Sequence, residues 1–183
     1  NDANLDAIII NTSGCGTTVK NYAHLLRDEP EWAKRATQIS YKTFDITEII
    51  IKIGLQNVIL KTKPSIVYHS ACSMQHGQQL HTEPKKLLLQ AGFKVVEPEE
   101  AHICCGSAGS YSLLQPELAK NLQARKVQNL IATGADVIAT GNIGCILHIN
   151  QGMVSSKLPI IHTSELLDWA TGGPKPGNLK LLV

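Results

Sequence analysis

Apolar and polar positions along this chain follow two periods in alternation. Short β-branched runs appear as AIII at 7–10, SIVYH at 65–69, FKVVE at 93–97, DVIATG at 136–141 and LPIIHT at 158–163. Each is the length of a strand and too short to make a stable helix. Between them, KKLLLQAG at 85–92 and PELAKNLQARKVQNLIATG at 116–134 repeat their apolar residues every three or four positions. In the longer segment Pro116 suits a helix start, and Leu118, Leu122, Val127, Leu130 and Ile131 share roughly one face. Gly134 suits its C-cap. Strand–helix–strand order at this spacing predicts βαβ units, hence an α/β fold with a mostly parallel sheet flanked by helices.

The pattern also repeats. DAIIINTSGC ends at Cys15 and DVIATGNIGC at Cys145; aligned on the closing Gly-Cys, Asp6 meets Asp136. Downstream, FDITEII and IIHTSELLDWA share an ending logic, with Asp45 or Thr47 expected to cap one helix and Thr163 or Ser164 the other. Two copies of one unit are implied, and only the second has its upstream half. The expected division is therefore 1–60 for the closing part of a first lobe and 61–183 for a second, with the chain read as a C-terminal fragment.

Composition narrows the function classes. Lys and Arg number 17 against 15 Asp and Glu, a net charge of +2, and the basic residues form no stripe. Aromatics are only 4%, so neither nucleic-acid binding nor base stacking is expected. No apolar run approaches the length of a bilayer span, and the N-terminal stretch lacks the pattern of a secretory signal. A cytoplasmic location is expected, with a peripheral seat at the inner membrane as a variant. TSGCGTT lacks the order of a dinucleotide-binding fingerprint.

Five cysteines make an awkward disulfide set, because one must stay unpaired. Cys104 and Cys105 are adjacent and are followed by Gly-Ser-Ala-Gly. Cys72 follows one predicted strand, and Cys145 lies in a turn after another. In a parallel α/β sheet such turns converge at the carboxyl edge, where ligands bind. Thiolates at a helix N-terminus are favoured, and nearby glycines let backbone N–H groups reach them. Four soft ligands suit either zinc or an iron–sulfur cluster. The alternative is that these are buried thiols acting as small hydrophobes.

These residues resemble the cysteine-rich CCG domain, in which a cysteine, a stretch of some thirty-odd residues, CCG, a second such stretch and CxxC follow in order. Here 31 residues separate Cys72 from Cys104, and 36 separate Cys105 from Asn142 of NIGC. Within that family TSGCGTTVKNYAHLLRDEP, CSMQHGQ, HICCGSAGSYSLLQPELA and TGNIGCILHI look most like the iron–sulfur subunits of glycolate-oxidising complexes. The resemblance implies two CCG lobes, a metal site at Cys72, Cys104, Cys105 and Cys145, and Cys15 serving the other lobe. It implies an iron–sulfur cluster of the 4Fe–4S kind, with zinc as the alternative. It also implies electron transfer from an FAD-bearing partner subunit that oxidises glycolate to glyoxylate, a further subunit, and a quinone or membrane-associated acceptor. The rivals are a lactate-oxidation or heterodisulfide-reductase-type subunit and a zinc-stabilised interaction module. No residue is expected to act as a general base on glycolate; that step belongs to the partner.

Asn142 departs from the pattern, standing where it has a cysteine. An oxygen ligand, a hydrogen bond to the cluster's surroundings and a cap for the next helix are the three roles open to it. His69, His76, His102 and His148 each lie within a few residues of a cysteine, as ligands, proton relays or loop hydrogen-bonders. Met74 is expected to serve packing, Ser107 to hydrogen-bond to sulfide or to shape a turn, and Glu99–Glu100 to lie in a solvated loop.

Overall fold

The computed structural model describes residues 5–61, 63–154, 156–177 and 179. The first part contains β1 (Ile8–Ile10), α1 (Ser13–Lys20), α2 (Tyr22–Leu25), α3 (Ala33–Lys42), β2 (Thr43–Asp45) and α4 (Ile46–Ile53). Then come β3 (Ser65–Tyr68), a π-helical turn at Ser73–Gly77, α5 (Glu83–Gln90), β4 (Lys94–Val96), α6 (Tyr111–Leu114) and α7 (Pro116–Ala132). The last elements are β5 (Val137–Thr140), α8 (Ile143–Gly152), β6 (Ile160–His162) and α9 (Thr163–Ala170).

The expected architecture requires correction. Helix makes up 49% of the chain and strand only 12%, and the strands form two small sheets. One is the pair β1–β2; the other has the order β4–β3–β5–β6. This is a mixed α/β fold dominated by helix, not an architecture dominated by its sheet. The physical reason is that every neighbouring pair in both sheets is parallel. Parallel neighbours need long crossovers, and with strands of three or four residues those helical crossovers outweigh the sheets they join. The architecture likewise does not show the chain to be a fragment, and that reading is not carried further.

The four-stranded sheet is covered on both faces, which is why its strands are continuously apolar. Ile66, Tyr68, Val137, Ala139 and Ile161 face Leu87 and Leu88 of α5 and Leu166, Leu167 and Ala170 of α9. The alternate residues Val67, Ile138 and Ile160 face Leu130 of α7 and Ile149 of α8, in a cluster that also takes in Cys105 and Cys145. Two of the thiols are thus part of the core.

The repeated sequence pattern has a counterpart in local structure. Thr12 and Asn142 are both extended N-cap residues, with φ/ψ of −127°/112° and −143°/119°, and each begins a helix whose third residue is cysteine. Downstream, Asp45 and His162 each cap the next helix in a capping box completed by Glu48 and Glu165. Of the two expected candidates, Asp45 and not Thr47 caps the first helix. In the second copy the cap is His162, neither Thr163 nor Ser164. Its Nδ1 accepts from Ser164 N at 3.1 Å, so its Nε2–H donates to the Asn11 carbonyl at 2.7 Å.

Candidate metal centre

The cysteines gather at the carboxyl edge of the larger sheet because three crossings start there. β3 runs out at Tyr68, and Cys72 directly precedes the π-helical turn. Cys104 and Cys105 lie in the loop after β4, where Gly106 adopts φ +94°. A Cβ at that glycine would collide with the Ala119 carbonyl oxygen on α7. Only glycine therefore lets the CCG turn lie so close to the helix. After β5, Asn142 starts α8 and Cys145 falls in its first turn.

The sulfurs meet in two pairs. Cys72 Sγ lies 3.9 Å from Cys104 Sγ, and Cys105 Sγ lies 3.3 Å from Cys145 Sγ. The Gly106 N–H points at Cys104 Sγ over 3.4 Å. Cys105 and Cys145 are buried and Cys72 and Cys104 half-buried, whereas Cys15 is exposed and joins neither pair.

Crowding splits the thiols into proton holders and proton losers. Hydrogen bonds from Cys105 and Cys72 hold Cys104 far below the usual thiol range, with help from the Gly106 N–H. Cys145 is also lowered, chiefly by the hydrogen bond from Cys105, against the opposing effect of burial. Cys72 is raised by its bond to Cys104 and by burial, and Cys105 by its bonds to Cys104 and Cys145 and by burial. The lowering at Cys104 and Cys145 suits a positively charged ion, because thiolates are the metal-binding form.

A further residue stands here without having been singled out from its neighbours in the sequence. His69 is 1% exposed, and a ring nitrogen of it, Cys105 Sγ and Cys145 Sγ all lie within 4.8 Å of one another. The imidazole is near enough to favour the Cys145 thiolate, yet neither ring nitrogen has a well-formed hydrogen-bond partner. Tyr68 Oη, Ser70 Oγ and Thr140 Oγ1, at the ends of β3 and β5, are buried and unpartnered too. Buried polar atoms are ordinarily paired. Soft sulfur donors grouped with a buried imidazole whose ring nitrogens lack a well-formed partner fit a metal-containing group, and both zinc and iron–sulfur suit this donor set.

The other singled-out residues separate clearly. Asn142 is spent as a cap: its Oδ1 accepts from Gly144 N at 2.8 Å and Cys145 N at 3.2 Å. Its Nδ2 donates to Ser13 Oγ at 2.8 Å and Ser73 Oγ at 3.3 Å. His76 and His102 are exposed, and His148 sits 3.5 Å from the Ala119 carbonyl oxygen. Met74 is buried as expected. Glu100 is not simply solvated, since it pairs with Arg125 and accepts from Asn129 Nδ2 at 3.0 Å. Beside it, fully buried Lys126 donates from Nζ to the Glu100 carbonyl at 2.8 Å, tying α7 to the loop that leads into the CCG turn. The sequence signal for that clamp was a lysine next to the apolar stripe of α7.

Among the described residues, no helix is long and apolar enough to cross a membrane.

The CCG cysteine-rich domain matches residues 66–150, which span the four clustered thiols. The chain is similar to the glycolate oxidase iron-sulfur subunit of Escherichia coli, 32% identical with 92% of this chain and 41% of that protein covered. A probable glycolate oxidase iron-sulfur subunit of Bacillus subtilis is 33% identical, over 92% of this chain and 39% of its own length. Lactate utilization protein A of Bacillus subtilis is 28% identical, over 87% of this chain and 69% of its length. The chain thus spans about two fifths of the length of the two glycolate oxidase relatives.

Proposed function

Because the chain belongs to the cysteine-rich CCG domain family, we propose that Cys72, Cys104, Cys105 and Cys145 together hold an iron–sulfur centre and that the chain works as an electron-transfer unit. The observation that carries this reading is the meeting of four thiols from three separate crossings at one sheet edge. Such a centre, when bound, supplies one-electron transfer. The chain's own contribution is to hold the donors and shield them. Burial of Cys105 and Cys145 in the core excludes water, the Gly106 N–H stabilises negative charge on Cys104, and the N-terminus of α8 does the same for Cys145.

The relatives' names support a place in a complex that oxidises a small 2-hydroxy acid. In this reading an FAD-bearing partner subunit takes a hydride from glycolate, yielding glyoxylate. Electrons then pass singly through this chain and a further subunit to a quinone or membrane-associated acceptor. Lactate is the rival substrate, favoured by the larger share of lactate utilization protein A that the chain covers. The lobes fall at 1–60 and 61–183 in this proposal, supported by the separate two- and four-stranded sheets, with Cys15 belonging to the first.

Anaerobic purification with metal and acid-labile sulfide analysis tests the reading. Iron with sulfide, and an EPR signal lost or altered in Cys105→Ser but kept in Cys15→Ser, is the expected result. Reduction of that centre by glycolate, and not by lactate, in the presence of the flavin subunit would fix the substrate. Colourless protein carrying stoichiometric zinc would replace this reading with that of a zinc-stabilised module.

A further inference from the structure

We propose that His69 is itself a ligand of the iron–sulfur centre, an imidazole nitrogen beside the thiolates of Cys105 and Cys145. The inference rests on the iron–sulfur reading above and goes beyond it in naming a nitrogen donor. Three independent observations lead to it. A ring nitrogen of His69 and the two sulfurs all lie within 4.8 Å of one another. The residue is 1% exposed, so water does not satisfy it. Neither Nδ1 nor Nε2 has a well-formed hydrogen-bond partner among the described residues, the nearest group that favours the ring being the Cys145 sulfur. A buried histidine held for structure alone would have at least one ring nitrogen paired, because an unpaired buried polar atom keeps the full cost of its lost hydration.

The backbone holds the ring where it is. The His69 N–H donates to the Ala139 carbonyl at 2.8 Å, extending the β3–β5 ladder one residue past its last paired strand position. That extra bond fixes the residue between the strand that leads to Cys72 and the strand that leads to Cys145. Asn142 is fully occupied by the α8 cap and the two serines. Among the described residues, His69 is the histidine that groups with two of the sulfurs. Imidazole is a good ligand for iron, and exchanging one thiolate for it raises a cluster's potential by removing negative charge.

The test is pulsed EPR on the anaerobically purified full chain, prepared with natural-abundance and with 15N-labelled histidine. The expected spectrum of the reduced centre contains a strong 14N coupling that is replaced by a 15N pattern on labelling. His69→Leu should abolish it, whereas His69→Cys should keep iron and sulfide but lose the nitrogen signal. Labelling requires no substitution, so the test stands even if His69→Leu does not fold. Iron and sulfide without a histidine nitrogen coupling, or a coupling that survives His69→Cys, overturns the ligand assignment alone. Absence of iron from the wild-type chain overturns the iron–sulfur reading and this inference with it.

Discussion

Asn142 Nδ2 donates to Ser13 Oγ at 2.8 Å, joining residues 129 positions apart. The same side chain caps α8 through Oδ1, immediately before Cys145. One amide therefore both starts the helix that carries a core thiol and ties that helix to α1, beside the smaller sheet. The tie is reinforced by Ser13 N–H donating to the Gly141 carbonyl at 3.1 Å and by Gln78 Nε2 donating to the Ser13 carbonyl at 2.9 Å.

Removing that amide should be costly. Asn142→Ala loses the cap and both donor bonds, and urea unfolding should show a loss of about 1–3 kcal/mol. Asn142→Asp keeps an acceptor for the cap but has no donor for the serines, so it should fall between alanine and wild type. Equal stability of all three proteins would show that the tie contributes nothing.

The CCG turn makes a sharper demand at its glycine. Gly106→Ala places a side chain at φ +94° and drives its Cβ into the Ala119 carbonyl oxygen, so α7 or the turn must move. A destabilisation of about 2–4 kcal/mol is expected. Gly109→Ala is the control: φ is +60° there, with nothing within 4 Å of an added Cβ. It should cost about 1 kcal/mol, from backbone strain alone. Similar thermal melts for the two variants would remove the close approach as the reason for glycine at 106.

Strand register supplies an acid-limb prediction. Asp136 accepts from Ser65 N at 2.8 Å and Ser65 Oγ at 2.7 Å, which holds its carboxyl below the usual carboxylate range. A depressed folded pKa contributes stability that is fully present above the unfolded value, near 4, and is lost as pH falls through the folded one. The group is largely exposed, so after screening the contribution is about 1 kcal/mol or less. Asp136→Asn should therefore be less stable than wild type at neutral pH, with the gap closing as pH drops below about 4. A gap that is constant with pH would contradict this.

Lys126 predicts the opposite limb. Burial lowers its pKa, its Nζ being held between the Glu100 and Ala101 carbonyls at 2.8 and 3.5 Å. The unfolded chain then binds more protons in the window below the ordinary lysine value of about 10.4, so wild-type stability should rise with pH there. Lys126→Met removes that rise and leaves the loop carbonyls without their donor, costing about 1–3 kcal/mol at neutral pH. Chemical unfolding at several alkaline pH values, wild type against variant, measures both effects.

Much of the local structure was legible in the sequence. The five short apolar runs coincide with β1, β3, β4, β5 and β6, and the helix opened by Pro116 ends at Ala132, close to Gly134. β2 was harder to see, because TFD carries little strand pattern of its own and pairs through its backbone with Ile8–Ile10. The overall balance between helix and sheet is not legible in the sequence for a related reason. Apolar runs advertise strands, whereas short helices such as α2 and α6, four residues each, have too few turns to display a period.

The candidate site divides in the same way. The amino-acid order alone determined that Cys72, Cys104, Cys105 and Cys145 sit after strands, since strand periodicity and glycine turns are local properties. It also marked Asn142 as a break in the cysteine pattern. Only the tertiary structure decided that His69, rather than His76, His102 or His148, faces the sulfurs, and that Asn142 is consumed by a cap and by Ser13. Four histidines near cysteines are equivalent in sequence. Which one is buried without a partner depends on how β3 and β5 pair, and pairing between distant strands is set by packing that no local window contains.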